Sequence, residues 1–170
     1  MEENTSYQTA SVFVIIVKID EICRYVLMVH NKEKKTAKGI KRSGWSLVGG
    51  GQQPFETLVQ TLMREVWEET GLSVSDEVYR RVPQLLVRQV GDGHANVLFG
   101  PILYSPEMGE PAPRDTGILK AEWVSEYELE YVHECLRREE VNKDCQPVDN
   151  DGRNYYARHI GMLYETRLTV

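Results

Sequence analysis

The sequence predicts one domain of mixed class, α/β or α+β, on three observations. Short apolar, β-branched runs read as strands. Longer stretches with apolar residues four apart read as helices. Both kinds are mixed along a single chain of 170 residues. That length suits one ordinary domain, residues 1–170, and would cramp two. Hydrophobic residues make up 41%, which is typical of a packed globule and excludes wholesale disorder.

The elements follow in order. Ser11 to Lys18 is β-branched and apolar, a buried strand. Asp20-Glu21 turns the chain, and Tyr25 to His30 returns as a second strand, so the chain opens on a hairpin. Asn31 to Ser43 is a polar stretch carrying Lys32, Lys34, Lys35, Lys38, Lys41 and Arg42 against one acid, Glu33. Gly44 to Val48 is a short strand that runs into Gly49-Gly50-Gly51. A helix is expected from about Pro54 to Thr70. Leu85 to Val90 and Asn96 to Tyr104 are strands joined across Gly91-Asp92-Gly93. Pro106 to Thr116 is a loop and Ile118 to Val124 a further strand. Glu126 to Arg138 reads as a second helix, Asn142 to Arg153 as a polar connection, and Tyr155 to Thr166 as a terminal helix.

Composition narrows the function. A net charge of -6 argues against broad electrostatic capture of DNA or RNA, but allows a small nucleotide held through a metal. The longest apolar run, Val12 to Val17, is far short of the ~20 residues of a membrane span. The start, Met1-Glu2-Glu3-Asn4, is acidic and lacks the basic and apolar parts of a signal peptide. Cys23, Cys135 and Cys145 have neither CxxC spacing nor a companion His pair, so the expectation is free thiols in a reducing cytosol. His30, His94, His133 and His159 are scattered and read as ordinary residues.

The informative stretch is Gly49 to Leu72. Pro54 suits a first helical turn, Glu56 the positive helix end, and Gly71 a left-handed helix stop. Leu58, Leu62 and Val66 form one apolar stripe. The last turn breaks a rule. Glu65, Glu68 and Glu69 share one side, where like charges repel by about 0.2–0.5 kcal/mol per pair. They also lie near the negative helix end, and Arg64 pairing with Glu68 relieves only part of this. A divalent cation is the natural compensation, since carboxylates are hard oxygen ligands. The plain alternative is a solvated acidic helix end. Gly49 to Gly51 add an adaptable backbone beside the helix, where a carbonyl can reach a metal or a phosphate can approach.

This segment resembles the Nudix box: Gly, five residues, Glu, seven residues, Arg-Glu, aliphatic, any, Glu-Glu, any, Gly, aliphatic. Here these are Gly50, Glu56, Arg64, Glu65, Val66, Glu68, Glu69, Gly71 and Leu72, with no departure. With seven fixed positions each met in roughly 5–8% of cases, a chance match is on the order of 10⁻⁸ to 10⁻⁹ per start. Gly44-Trp45-Ser46-Leu47, Ala121-Glu122-Trp123-Val124 and Glu128-Leu129 agree more loosely, and Val48 stands where the family usually has Pro.

The resemblance implies a Nudix-like α/β/α sandwich with a mixed β-sheet and a Mg²⁺-dependent hydrolase, with Mn²⁺ as a second metal. The reaction would cleave a nucleoside diphosphate linked to another group. Glu65, Glu68 and Glu69 would hold metal, with the Gly49 carbonyl as a further ligand. Gly49 and Gly50 would line the cofactor site, Arg64 would orient a glutamate, and Glu56 would secure the box. The family often adds a carboxylate six residues before a Trp-Val pair. That position here is Gly117, so Asp115 in its flexible loop is favoured over Glu122 as fourth acid, either metal ligand or general base. A turn-stabilising Asp115 is the alternative. Tyr79 and Pro83 do not sit at the offsets that mark substrate classes. Trp45, Phe99 and Tyr104 can stack on a base, although core is the commoner fate. Lys32 to Arg42 can steer a polyanion or simply be a solvated loop. The expected partner is a small nucleotide diphosphate, without nucleic acid or membrane, and a homodimer stays open. A non-catalytic nucleotide sensor and, more remotely, an isoprenoid diphosphate isomerase are the other readings.

Overall fold

The computed structural model describes residues 8–166; the acidic start Met1–Asn4 lies outside them. Eight strands and four helices follow in the order β1 (Thr9–Ile19), β2 (Arg24–Asn31), β3 (Lys34–Thr36), β4 (Gly39–Lys41), β5 (Gly44–Gly51), α1 (Leu58–Thr70), α2 (Asp76–Arg81), β6 (Gln84–Gln89), β7 (His94–Leu103), β8 (Ile118–Ser125), α3 (Glu126–Arg137) and α4 (Ala157–Glu165). Six strands make one sheet in the order β6-β7-β1-β5-β2-β8, while β3 and β4 pair apart from it. β1 and β7 run parallel and the other pairings are antiparallel, so the sheet is mixed.

Alternation along β1 divides the interior in two. Val12, Val14 and Ile16 join one core with Leu62 and Val66 of α1 and Tyr79 of α2. Phe13, Ile15 and Val17 join the other with Leu129 and Val132 of α3 and Ile160 and Leu163 of α4. A strand covered on both faces reads as an unbroken apolar run, which is how Val12 to Val17 appears in the sequence. Helices therefore lie on both faces, giving three layers. Among the described residues no helix is long and apolar enough to cross a membrane.

The opening hairpin forms only at its turn, from Val17 opposite Val26 to Ile19 opposite Arg24. Asp20 Oδ1 closes that turn by accepting from the Ile22 and Cys23 N–H groups at 2.7 and 2.9 Å. Beyond it β5 enters, pairing Gly44–Leu47 with β2 and Val48–Gly51 with β1. The glycine end of β5 is thus placed against β1.

Four expectations need correction. The box helix starts at Leu58, not Pro54. Thr57 and Gln60 form a reciprocal capping box, and Phe55 has φ 67°, a conformation no right-handed helix passes through. No element is expected from the sequence between Leu72 and Leu85, and α2 lies there: six residues are too short to show a periodic stripe, and Ser75 caps the helix by accepting from the Val78 N–H. The lysine-rich stretch contains the β3–β4 hairpin, whose exposed residues give no apolar alternation. The terminal helix begins at Ala157, because Tyr155 and Tyr156 are bonded to the Pro147 and Trp45 carbonyls instead.

Candidate active site

The site grows from the contact of α1 with the end of β5. Gly50 stands opposite Val12 and therefore faces α1. A Cβ there would lie 2.4 Å from Glu65 Oε1, so only glycine lets this carboxylate lie against the strand. Gly49 has φ 151°, and its N–H donates to Glu69 Oε1 at 2.7 Å. Glu65 and Glu69 are 8% and 5% exposed, whereas the Glu68 side chain is 40% exposed.

Arg64 is the hub. Its Nε and Nη2 donate to the two oxygens of Glu56 at 2.8 and 3.0 Å, a bidentate pair. Nη1 donates to Glu65 at 2.9 Å and Glu68 at 3.2 Å, and Nη2 also reaches the Gly51 carbonyl at 2.8 Å. Glu56 lies in the turn before the helix, where it accepts from the Gln53 N–H at 2.7 Å and from Thr61 Oγ1 at 3.2 Å. The Arg64 guanidinium holds the Glu56 carboxyl down at about 2. Burial pushes Glu65 above the usual carboxylate range and Glu69 well above it; Arg64 and the Gly49 N–H counter only part of that.

The loop before β8 is tied to the same helix end. The Ala112 N–H donates to the Thr70 carbonyl at 2.7 Å, and the Arg114 and Asp115 N–H groups to the Glu68 carbonyl at 2.8 Å. These bonds satisfy carbonyls that every helix leaves open at its C-terminus. Arg114 also lies over the Trp67 ring at 3.9 Å. Asp115 is thereby held where its charge acts on both Glu65 and Glu69. It also forms its own turn, since Oδ1 accepts from the Gly117 N–H at 2.7 Å. Glu122 is elsewhere: it stands opposite Met28 on the α3–α4 face and pairs with Arg153 at 3.0 Å.

Trp45 and Phe99 are core residues, 4% and 5% exposed. Tyr104 packs on Trp123 with ring centroids 4.9 Å apart and donates to the Gly109 carbonyl at 2.7 Å. Lys41 belongs to the basic stretch Lys32 to Arg42, and its charge acts on Glu69; nothing in the sequence singles it out from the neighbouring lysines.

Among the described residues no three acidic, imidazole or thiol groups stand together as a ready metal cluster. Glu65 and Glu68 are turned onto Arg64, and Glu69 onto the Gly49 amide. The donors nevertheless suit a hard cation. All are carboxylate oxygens on one helix side, with more acid than Arg64 neutralises and a glycine floor that admits close approach.

The family model for the NUDIX domain matches residues 8–144. The chain belongs to the Nudix family. Solved Nudix structures share its fold. The NUDIX domain of Shewanella oneidensis NrtR complexed with ADP ribose has 16% identity and a TM-score of 0.63, over 94% of this chain and 86% of that one. A bifunctional NMN adenylyltransferase/ADP ribose pyrophosphatase from Francisella tularensis, complexed with AMP and Mn ion, has 17% identity and a TM-score of 0.55, over 93% and 42%. A MutT/nudix family protein from Enterococcus faecalis has 20% identity and a TM-score of 0.54, over 68% and 42%. This Nudix chain thus spans less than half of the latter two proteins. No curated protein matches it.

Proposed function

We propose that this Nudix protein is a divalent-metal-dependent hydrolase that cleaves the diphosphate of a nucleoside diphosphate linked to another group. One observation carries the reading: at the end of α1 Glu65 and Glu68 share Arg64, Glu69 lies against the Gly49 amide of a strand kept bare by glycine, and the backbone of Asp115 is bonded to the same helix end. Glu65, Glu68 and Glu69 are the residues that would hold Mg²⁺ or Mn²⁺, with the Gly49 carbonyl as a further ligand beside Gly50. When bound, the metal supplies charge neutralisation on the diphosphate and acidifies water. Arg64 keeps the glutamates in register through its bidentate anchor on Glu56. Asp115 is the fourth acid, as ligand or base. Two structural neighbours hold ADP ribose or AMP with Mn ion, which supports testing adenine nucleotides first.

The test is a turnover panel with Mg²⁺, beginning with ADP-ribose and including nucleoside triphosphates and dinucleoside polyphosphates. The expected result is release of a monophosphate or phosphate that stops in excess EDTA. Full turnover in EDTA overturns the metal assignment. Binding without turnover across the panel makes the protein a nucleotide sensor instead.

A further inference from the structure

The last turn of α1 holds Glu68 and Glu69 at the negative end of the helix and has no basic residue of its own. A cation reaches it from a distant loop. Arg114 lays its guanidinium over the Trp67 ring, 3.9 Å from the centroid, and its Nε would lie 3.5 Å from a Cβ on Gly71. Trp67 belongs to neither core and stays 45% exposed, so the core does not account for a tryptophan here. Its ring is a seat for Arg114. A planar, weakly hydrated guanidinium stacks on an aromatic face in a defined orientation.

That stack lies next to Asp115, on a bridge of chain pinned at both ends. At one end the Ala112 N–H is bonded to the Thr70 carbonyl, and the Arg114 and Asp115 N–H groups to the Glu68 carbonyl. Gly71 leaves room for this approach, since a Cβ there would fall 2.6 Å from the Ala112 carbonyl. At the other end the Lys32 N–H donates to the Gly117 carbonyl at 3.0 Å, and Ile118 pairs with Asn31 of β2. These bonds set the path of the bridge. Two donors that converge on one carbonyl leave the peptide between Arg114 and Asp115 free to tilt. The exposed side chains of both residues are not packed into the core to prevent it. Seating Arg114 on Trp67 removes that freedom at the residue beside the acid, and a reacting group is useful only where its own support is fixed.

We propose that Arg114, seated on Trp67, is a positioning residue that sets how Asp115 faces the box glutamates. This rests on the hydrolase reading with Asp115 as fourth acid, and adds the contact that aims this acid. Misplacing an acid by a fraction of its reach acts on the transition state more than on bound substrate. Loss of the stack should therefore lower kcat and leave KM nearly unchanged.

The experiment measures kcat and KM at saturating Mg²⁺ with whichever panel member is hydrolysed, at a temperature where every variant is folded by circular dichroism. The variants are Arg114→Leu, Trp67→Leu, Trp67→Phe, Asp115→Asn, and Arg114→Leu combined with Asp115→Asn. Arg114→Leu and Trp67→Leu should each lower kcat about fivefold with KM within about twofold. Trp67→Phe, which keeps an aromatic seat, should recover most of the loss. Adding Arg114→Leu to Asp115→Asn should lower kcat no further, because the acid to be aimed is already gone. A purely structural arginine would lower kcat by the same factor in both backgrounds, and that result overturns the proposal. Wild-type kcat in both Arg114→Leu and Trp67→Leu also overturns it. Normal turnover by Asp115→Asn removes the acid that Arg114 would aim and overturns it too, while the metal-dependent hydrolase reading stands. A wild-type protein that turns over no panel member overturns the hydrolase reading, and the Arg114 role falls with it.

Discussion

Two arginines of nearly equal exposure organise two acidic clusters on opposite faces of the sheet, and the clusters solve the same problem differently. Arg64 and Arg153 are 20% and 19% exposed. Around Arg153 the innermost acid, Asp149, is wholly covered and fully served by the chain itself. Its Oδ1 accepts from the Asp151 and Arg153 N–H groups at 2.9 Å, and its Oδ2 from Arg153 at 3.0 Å and the Tyr155 hydroxyl at 2.5 Å. Glu122 and the exposed Asp151 complete the arginine's partners. Around Arg64, among the described residues, the buried acids Glu65 and Glu69 have one protein donor each, and Glu68 and Asp115 add charge with no further cation in contact. The Arg153 cluster is closed by fixed hydrogen bonds and is structural. The Arg64 cluster is left short of positive charge, the condition under which an exchangeable cation binds.

The largest expected effect is on the closed side. Asp149→Ala should cost about 3 kcal/mol, because it strips Arg153 and Tyr155 of a buried partner. At this chain length that is a fall of roughly 6–12 °C in melting temperature, while turnover at a permissive temperature stays near wild type. A thermal scan showing no loss would mean that Asp149 is no more fixed than the box acids. Glu69→Gln should behave in the opposite way. Its rate should drop more than about tenfold, over 1.4 kcal/mol of barrier, while stability without metal holds or rises as repulsion at the helix end is relieved. Near-wild-type kinetics would move the essential ligands elsewhere.

Acid should act on the α4 face through His159. Burial lowers its pKa to about 3, with Lys41 and Arg158 adding to the effect, and its Nδ1 accepts from the Leu47 N–H at 3.2 Å, which requires the neutral ring. The unfolded chain takes up the proton near pH 6.5 and the folded one does not. Stability is therefore undiminished above that pH and falls as pH drops toward 3, by about 1–2 kcal/mol between pH 7 and pH 5. His159→Gln should flatten that slope in melting curves; parallel slopes would assign the acid sensitivity to other groups. Mg²⁺ at about five times its Kd should add about 1 kcal/mol by mass action. Glu69→Gln should lose that increment, whereas Lys35→Met should keep it. The smallest effects separate Asp115 from Glu122. Asp115→Asn should slow turnover at unchanged melting temperature, since asparagine can keep the turn. Glu122→Gln should turn over normally and lose about 0.5–1 kcal/mol from its partly exposed pair with Arg153. The reverse pattern would transfer the fourth-acid role to Glu122.

Much of the α1 side was legible because its logic is local. Glu65, Glu68 and Glu69 fall on one helix side by their spacing alone, and Gly71 does end the helix, with φ 65°. The start of that helix was misread because Pro54 and Glu56 mimic a first turn, while Thr57 and Gln60 form the cap that decides it. The box pattern names Glu56, but its bidentate hold on Arg64 depends on a turn conformation that spacing does not reveal. Asp115 was favoured over Glu122 from loop against strand. The structure adds the reason for the difference in place: backbone bonds to the Glu68 carbonyl hold one, and strand alternation turns the other away.

Sequence by itself determined the mixed class, the family and the order of the main elements. These depend on apolar periodicity and on a motif contained within one loop and one helix. Tertiary structure alone decided three things. It inserted β5 between β1 and β2, which brings Gly49 and Gly50 against Val12 and Phe13 and gives the glutamates their floor. It sent Glu122 to Arg153 and left Asp115 with the box. It also brought Lys41 within electrostatic reach of Glu69, by way of a tyrosine more than a hundred residues further along the chain. Each depends on which distant strands pair and which face a side chain takes, and no local spacing encodes that.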